Sequence, residues 1–374
     1  MAANIGIGPS MSLAQLERTL ADLPPESDAL ASVKLSIASG RETDLLADIW
    51  TAILCGTLCR RAETQVVYSS PDEGDGEDLR FAHSPAGLAC ASIAASIRSV
   101  AGTPLDAAGL RRRLMLENDG LVSPYSDVVQ TLVEFDPDYP VSPLFLRSSG
   151  AEPAPRLRRR LFETQVLRFR QLLDLGRLRR GSGPVRTGPA GDVGRFLAEL
   201  HENGLEHGSR GVTGTLSGTR LLRMRTHAAG HPEDLLERCG PFRQLRYYVE
   251  RTFTGSDPVN LIEASISDFG MGIVDTFQAS PAGLGPDVDR RDVLEGLIYD
   301  RLTSKSNDPS AGLGIQKALE AARSMQAFVS LRTAEFWMAA SFLPDKPKAR
   351  LVHLGTPSRP PVAGTHWQIF WPQP

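Results

Sequence analysis

A chain of 374 residues, 41% of them hydrophobic and 23% charged, has the make-up of an ordinary globular protein with a sizeable core, on a scale of roughly two to three domains of ~100–200 residues. Its formal net charge of -3 excludes a global pull toward nucleic acid or an anionic membrane. The N-terminus lacks a basic segment followed by an apolar run, and no stretch approaches the ~18 uninterrupted apolar residues of a membrane span. The expected location is therefore cytoplasmic, with no membrane partner and no nucleic acid. The cysteines Cys55, Cys59, Cys90 and Cys239 form no C-x-x-C pair, and their spacing suits buried reduced thiols better than metal ligands.

Residues 1–30 carry Gly, Pro, Ser and acidic residues around a short helical pattern (Leu13, Leu16, Leu20, Leu23), which predicts a loose N-terminal arm. A small α/β domain of unknown role is expected over 31–150. Ser32–Ile37 and Thr64–Tyr68 alternate like strands, while Asp44–Arg61 and Gly87–Val100 have helical spacing. The polar run from Ser70 to Asp78 between them reads as a surface loop. Over 151–190 the composition turns Arg-rich. The apolar set Leu161, Val166, Phe169, Leu172 and Leu173 predicts an amphipathic helix, read as a connector with solvated arginines or, alternatively, as a basic face for nucleic acid or an acidic partner, followed by a glycine- and proline-rich linker.

The segment 191–374 carries the chemistry. Phe196–Gly208, read as a helix, stacks Glu199, Asn203 and His207 at i, i+4, i+8 on one face. Asn supplies a hard oxygen for magnesium, and Glu can orient or deprotonate a hydroxyl. Leu261–Asp268 is an aliphatic run that ends in a carboxylate, followed by Gly270 and Gly272. A strand there would deliver Asp268 to a pocket floor, with glycines letting the backbone approach a flat ring. Ser304-Lys305 precedes Gly312-Leu313-Gly314, a glycine pair at a helix start whose free N–H groups suit an anion. Lys317 stands where a G-x-G-x-x-G fingerprint needs its last glycine, and no G-x-x-x-x-G-K-[ST] occurs. Each motif alone is weak. An E-x-x-x-N pattern is common on solvated helices, and an Asp-x-Gly turn is common after strands.

Taken in order, these motifs, with the closing strand-like Gly364–Pro372, resemble the GHKL ATPase superfamily (histidine kinase-like and heat-shock-chaperone-like ATP-binding domains) over 191–374. The implied fold is an α/β sandwich, a mixed sheet with helices on one face. The implied ligands are ATP and Mg2+. The resemblance makes Asn203 the magnesium ligand and Glu199 the residue that activates the attacking group. Asp268 would accept from the adenine amine, Gly270 and Gly272 would shape the base pocket, and Thr365 would support the adenine end. His207, Ser304, Lys305, Gly312, Leu313 and Gly314 complete the nucleotide-contacting set, with residues from about 274 to 311 as a mobile lid. The gap from Gly208 to Leu261 is long for this class. It holds a strand-like 220–225 and a helical 232–251, so 228–256 or 1–190 could receive a protein partner, and a homodimer is compatible with either. The only His-Glu pair, His201-Glu202, lies inside the nucleotide-site helix, which disfavours an autophosphorylating sensor kinase. Three activities stay open. They are a soluble ATPase with a lid-closure switch in signalling or regulation, a serine protein kinase of the anti-sigma-factor type, and a nucleotide-gated binding module without turnover.

Overall fold

The computed structural model describes residues 3–8, 11–23, 30–36, 44–60, 65–69, 81, 84–94, 96–117, 129–134, 159–167, 169, 190–207, 220–255, 259–280, 283, 288–303, 312–346, 348–355 and 359–373. Over the described residues the fold is α/β with two sheets.

The first sheet is built from β1 (Ala3–Ile7), β2 (Leu30–Ser36), β3 (Gln65–Ser69) and β4 (Ser96–Ser99), all parallel and adjacent in chain order. Their crossovers carry α1 (Leu13–Ala21), α2 (Ala47–Arg60) and α3 (Pro85–Ile93). Crossovers of one hand between successive neighbours place all three helices on the same face. The loose arm expected over 1–30 is corrected here. β1 pairs with β2, and α1 is closed by a capping box between Ser12 and Gln15 that buries Leu13, Leu16 and Leu20. The helical pattern expected over 87–100 also divides. Ser84 caps α3, which ends at Ile93, and in β4 a buried Ile97 alternates with exposed Ser96 and Arg98. α4 (Ala107–Glu117) follows.

The second sheet has seven strands in the order β10-β9-β8-β11-β7-β6-β5. They are β5 (Val129–Glu134), β6 (Arg220–Ala229), β7 (Val259–Asp268), β8 (Phe328–Ala334), β9 (Phe336–Ser341), β10 (Val352–His353) and β11 (Val362–Gln373). Every pairing is antiparallel, so the expected mixed sheet is corrected. β5 comes from the segment expected in the small N-terminal domain, yet it forms an edge of this sheet.

Both faces of the larger sheet are covered, which corrects the expectation of helices on one face. Along β7, Ile262, Ala264 and Ile266 pack with α5 (Ala190–His207), α8 (Ile273–Gln278), α9 (Arg290–Tyr299) and α10 (Gly314–Ser324). Leu261, one residue out of phase, joins Phe328, Trp337 and Phe370 against α2. α2 is buried nearly all round because it lies between the two sheets, with Trp50 edge-on to Trp337 at 4.7 Å. The segment 232–251, expected as one helix, breaks at Gly240-Pro241 into α6 (Pro232–Arg238) and α7 (Arg243–Thr252). These extend the same covering layer, and Tyr248 donates to Gln326 O at 3.0 Å.

The face toward α2 carries a polar belt, buried at His227, Glu263 and Gln368 and part-buried at Asp48, Arg223 and Arg225. Asp48 of α2 pairs with Arg223 at 2.9 Å and Arg225 at 2.7 Å. His227 Nε2 lies 2.8 Å from Glu263, and Gln368 donates to the other Glu263 oxygen at 3.0 Å. Because Arg238 donates to His227 Nδ1, the imidazole proton sits on Nε2 and points at Glu263. Charges taken out of water persist only when paired, so this belt fixes how α2 seats on the sheet.

Candidate functional site

The site lies on the opposite face, between the C-terminal half of α5, the ends of β7 and β11, and the start of α10. Glu199 and Asn203 are one turn apart on α5, and α10 begins directly above them. A methyl on Gly314 would lie 3.2 Å from Asn203 Oδ1 and 3.5 Å from Glu199 Oε2. Burial pushes the Glu199 carboxyl above its ordinary range, opposed by Lys317, Arg195 and Arg159. Lys317 Nζ stands 3.9 Å from Glu199 Oε1. The buried Asn203 Nδ2 has no hydrogen-bond partner among the described residues. An amide end left so is the kind of polar atom a ligand satisfies.

At the other end of the cleft, β7 delivers Asp268, only 6% exposed. Its Oδ1 accepts from Gly270 N at 3.0 Å and from Thr365 N at 3.2 Å. Burial raises the carboxyl to about 6 against those two bonds and against Arg60 and Arg220. The Thr365 hydroxyl accepts from Ile273 N at 3.1 Å and lies 3.3 Å from Thr333 Oγ1, whose own proton goes to Gly364 O. Gly272, at φ 87°, must be glycine. A Cβ would come within 2.9 Å of Thr333 Oγ1, and the conformation itself is strained for other residues. Gly312, at φ 76°, turns the chain into α10 against the Arg301 carbonyl.

Asn203, Gly204, Arg220, Asp268, Ile273, Ile315, Thr365 and Trp367 line one cavity of about 10 Å3. That is room for a single water. Of the expected site residues, Glu199, Asn203 and Gly314 thus meet at one end and Asp268, Gly272 and Thr365 at the other. Gly204 bridges them, since a Cβ there would lie 3.9 Å from that of Asp268. Ser304, Lys305 and the His207 side chain lie outside the described residues. The expected lid from 274 to 311 is corrected over its first part, because α8 and α9 bury Phe277, Val293, Leu294 and Ile298 in the core. Its remainder, 304–311, is outside the described residues.

Arg220 and Arg60 were not expected at the site. Arg220 had a readable signal, an arginine in phase with the inward-facing Leu222 and Met224 of β6. Arg60 had none. Among the described residues, no group of three or more His, Cys, Asp or Glu side chains is placed to hold a metal, and no helix is long and apolar enough to cross a membrane.

Fold and cleft together define an α/β protein with a carboxylate and an amide at one end of a narrow site and a buried carboxylate at the other. Compared with known proteins, the chain matches no family model and no curated protein.

Proposed function

We propose that the chain binds Mg-ATP in this cleft as a protein of the GHKL ATPase type and hydrolyses it to drive a switch in signalling or regulation. The observation that carries the reading is the convergence of motifs from separate stretches of chain. Glu199 and Asn203 come from α5, Asp268 from β7, Gly314 from α10 and Thr365 from β11, and all reach one side of one sheet. The donor set fits the ligand. Asn203 Oδ1 offers a hard oxygen to a phosphate-bound cation, with phosphate and water filling its other positions, and its buried Nδ2, unpartnered among the described residues, offers a donor to a phosphate oxygen. When bound, magnesium would neutralise phosphate charge. Asp268, held by two backbone N–H groups on Oδ1, keeps Oδ2 for the exocyclic amine of adenine.

In this reading Glu199 takes a proton from water and the water oxygen bonds to the γ-phosphorus. The bond from that phosphorus to the bridging oxygen breaks, leaving ADP and inorganic phosphate. Its raised pKa supports the base role, because a carboxylate closer to neutrality accepts a proton more readily. The same geometry would serve a serine hydroxyl of a partner protein in place of water, and without an acceptor it would serve as a nucleotide-gated docking switch.

γ-Labelled ATP with magnesium tests these readings. Free labelled phosphate supports hydrolysis, label on a co-purified protein supports the kinase, and bound unchanged ATP supports the gated module. Absence of ATP binding defeats all three.

A further inference from the structure

Helix α2 reaches the cleft from behind, through the N-terminal unit. Its last turns lie against the turn that follows β7 and the start of β11. Gly56 abuts the Phe269 ring so closely that a methyl there would overlap it. Thr57 Oγ1 accepts from Ala363 N at 3.1 Å. Arg60 Nη1 donates to Gly270 O, and its guanidinium also acts electrostatically on Asp268. Three consecutive residues of the turn are thereby involved. Asp268 feels the charge, Phe269 carries the packing, and Gly270 accepts the hydrogen bond. A guanidinium is a rigid, always charged donor, suited to holding a carbonyl in one place.

We propose that Arg60 is a positioning residue for the base end of the nucleotide site: it fixes the Gly270 carbonyl, and with it the Asp268–Gly272 turn, so that the N-terminal unit takes part in selecting the base. This rests on the nucleotide reading above. By reciprocity, whatever loosens α2 weakens base recognition, and a bound base tightens α2.

The test uses the full chain with magnesium and compares ATP with inosine triphosphate, which lacks the exocyclic amine. Binding is measured by calorimetry for the wild type, Arg60→Met, Arg60→Lys and Gly56→Ala. A lost hydrogen bond to a charged donor corresponds to about tenfold in affinity. Arg60→Met is therefore expected to weaken ATP about tenfold while barely changing inosine triphosphate, collapsing the preference between them. Arg60→Lys should restore part of the preference. Gly56→Ala, by displacing Phe269, should reduce it from an independent contact. In the wild type, ATP should slow hydrogen exchange in α2, a readout that stands even if Arg60→Met does not fold.

Equal losses for the two nucleotides, or an α2 whose exchange ignores ATP, would overturn the positioning role. A wild type that prefers ATP and an Arg60→Met protein that keeps that preference would remove this proposal alone. A wild type that binds no ATP would remove the nucleotide reading along with it.

Discussion

Asp268→Asn separates the chemistry of the site from its stability. The asparagine oxygen can still accept from Gly270 N and Thr365 N, so the turn is retained while the charge is removed. Burial raises the carboxyl from 3.8 to about 6, roughly two units, which at ~1.36 kcal/mol per unit is about 3 kcal/mol. For an acid raised in this way the folded state binds more protons than the unfolded state between pH 4 and 6. Folding stability therefore rises as pH falls through that window, and the full penalty of the ionised carboxylate is present above about pH 7. The variant has no such penalty. Urea unfolding at pH 8 should find Asp268→Asn more stable than wild type by up to about 3 kcal/mol, and at pH 4.5 the gap should shrink to about 1 kcal/mol. ATP affinity at pH 8 should fall at least about tenfold, the scale of a lost hydrogen bond to a charged acceptor. A variant less stable than wild type at pH 8, or a gap unchanged between the two pH values, would refute the assignment of Asp268 as a strained carboxylate.

Glu199→Gln should lower ATP turnover by about 100-fold or more with binding changed less than about threefold, measured by phosphate release and calorimetry. Gly314→Ala places a methyl 3.2 Å from Asn203 Oδ1, so magnesium-dependent ATP affinity should drop while α10 keeps its helicity by circular dichroism. Asp48→Ala leaves Arg223 and Arg225 without their carboxylate and should destabilise the chain by about 3 kcal/mol in denaturant melts. Burial opposes ionisation of Asp48, but Arg223 and Arg225 hold its carboxyl below the ordinary value of 3.8. Its contribution is thus complete above that value and is lost only as pH falls through the lower folded one, so the Asp48→Ala deficit should persist unchanged from pH 8 to pH 5.

The residues that meet in the cleft are legible in the sequence because each sits at an element boundary with its own local signature. Asp268 ends an aliphatic strand, Gly272 and Gly312 require a positive φ, and Glu199 and Asn203 share a helical face. Elements that depend on distant partners are less so. Ala3–Ile7 is too short to declare itself a strand without β2 beside it, and Ile97 is a strand residue only because Val66 and its neighbours pair there. Gly240-Pro241 was a readable break, overridden by the apolar spacing on either side. Nothing local in a mostly apolar α2 says that its far side faces a sheet whose strands begin at Val129. The contact between Arg60 and Gly270 spans 210 positions and leaves no local trace.

That placement of α2 has a consequence for biosynthesis. The helix leaves the ribosome long before Phe328, Trp337 and Phe370 exist to cover it, and Asp48 waits equally long for Arg223 and Arg225. The early chain must therefore carry an oily helix with one unmatched flank until the last strand, β11, arrives. Such an intermediate exposes apolar surface, and truncation from either end would leave one of the two surfaces open to aggregation.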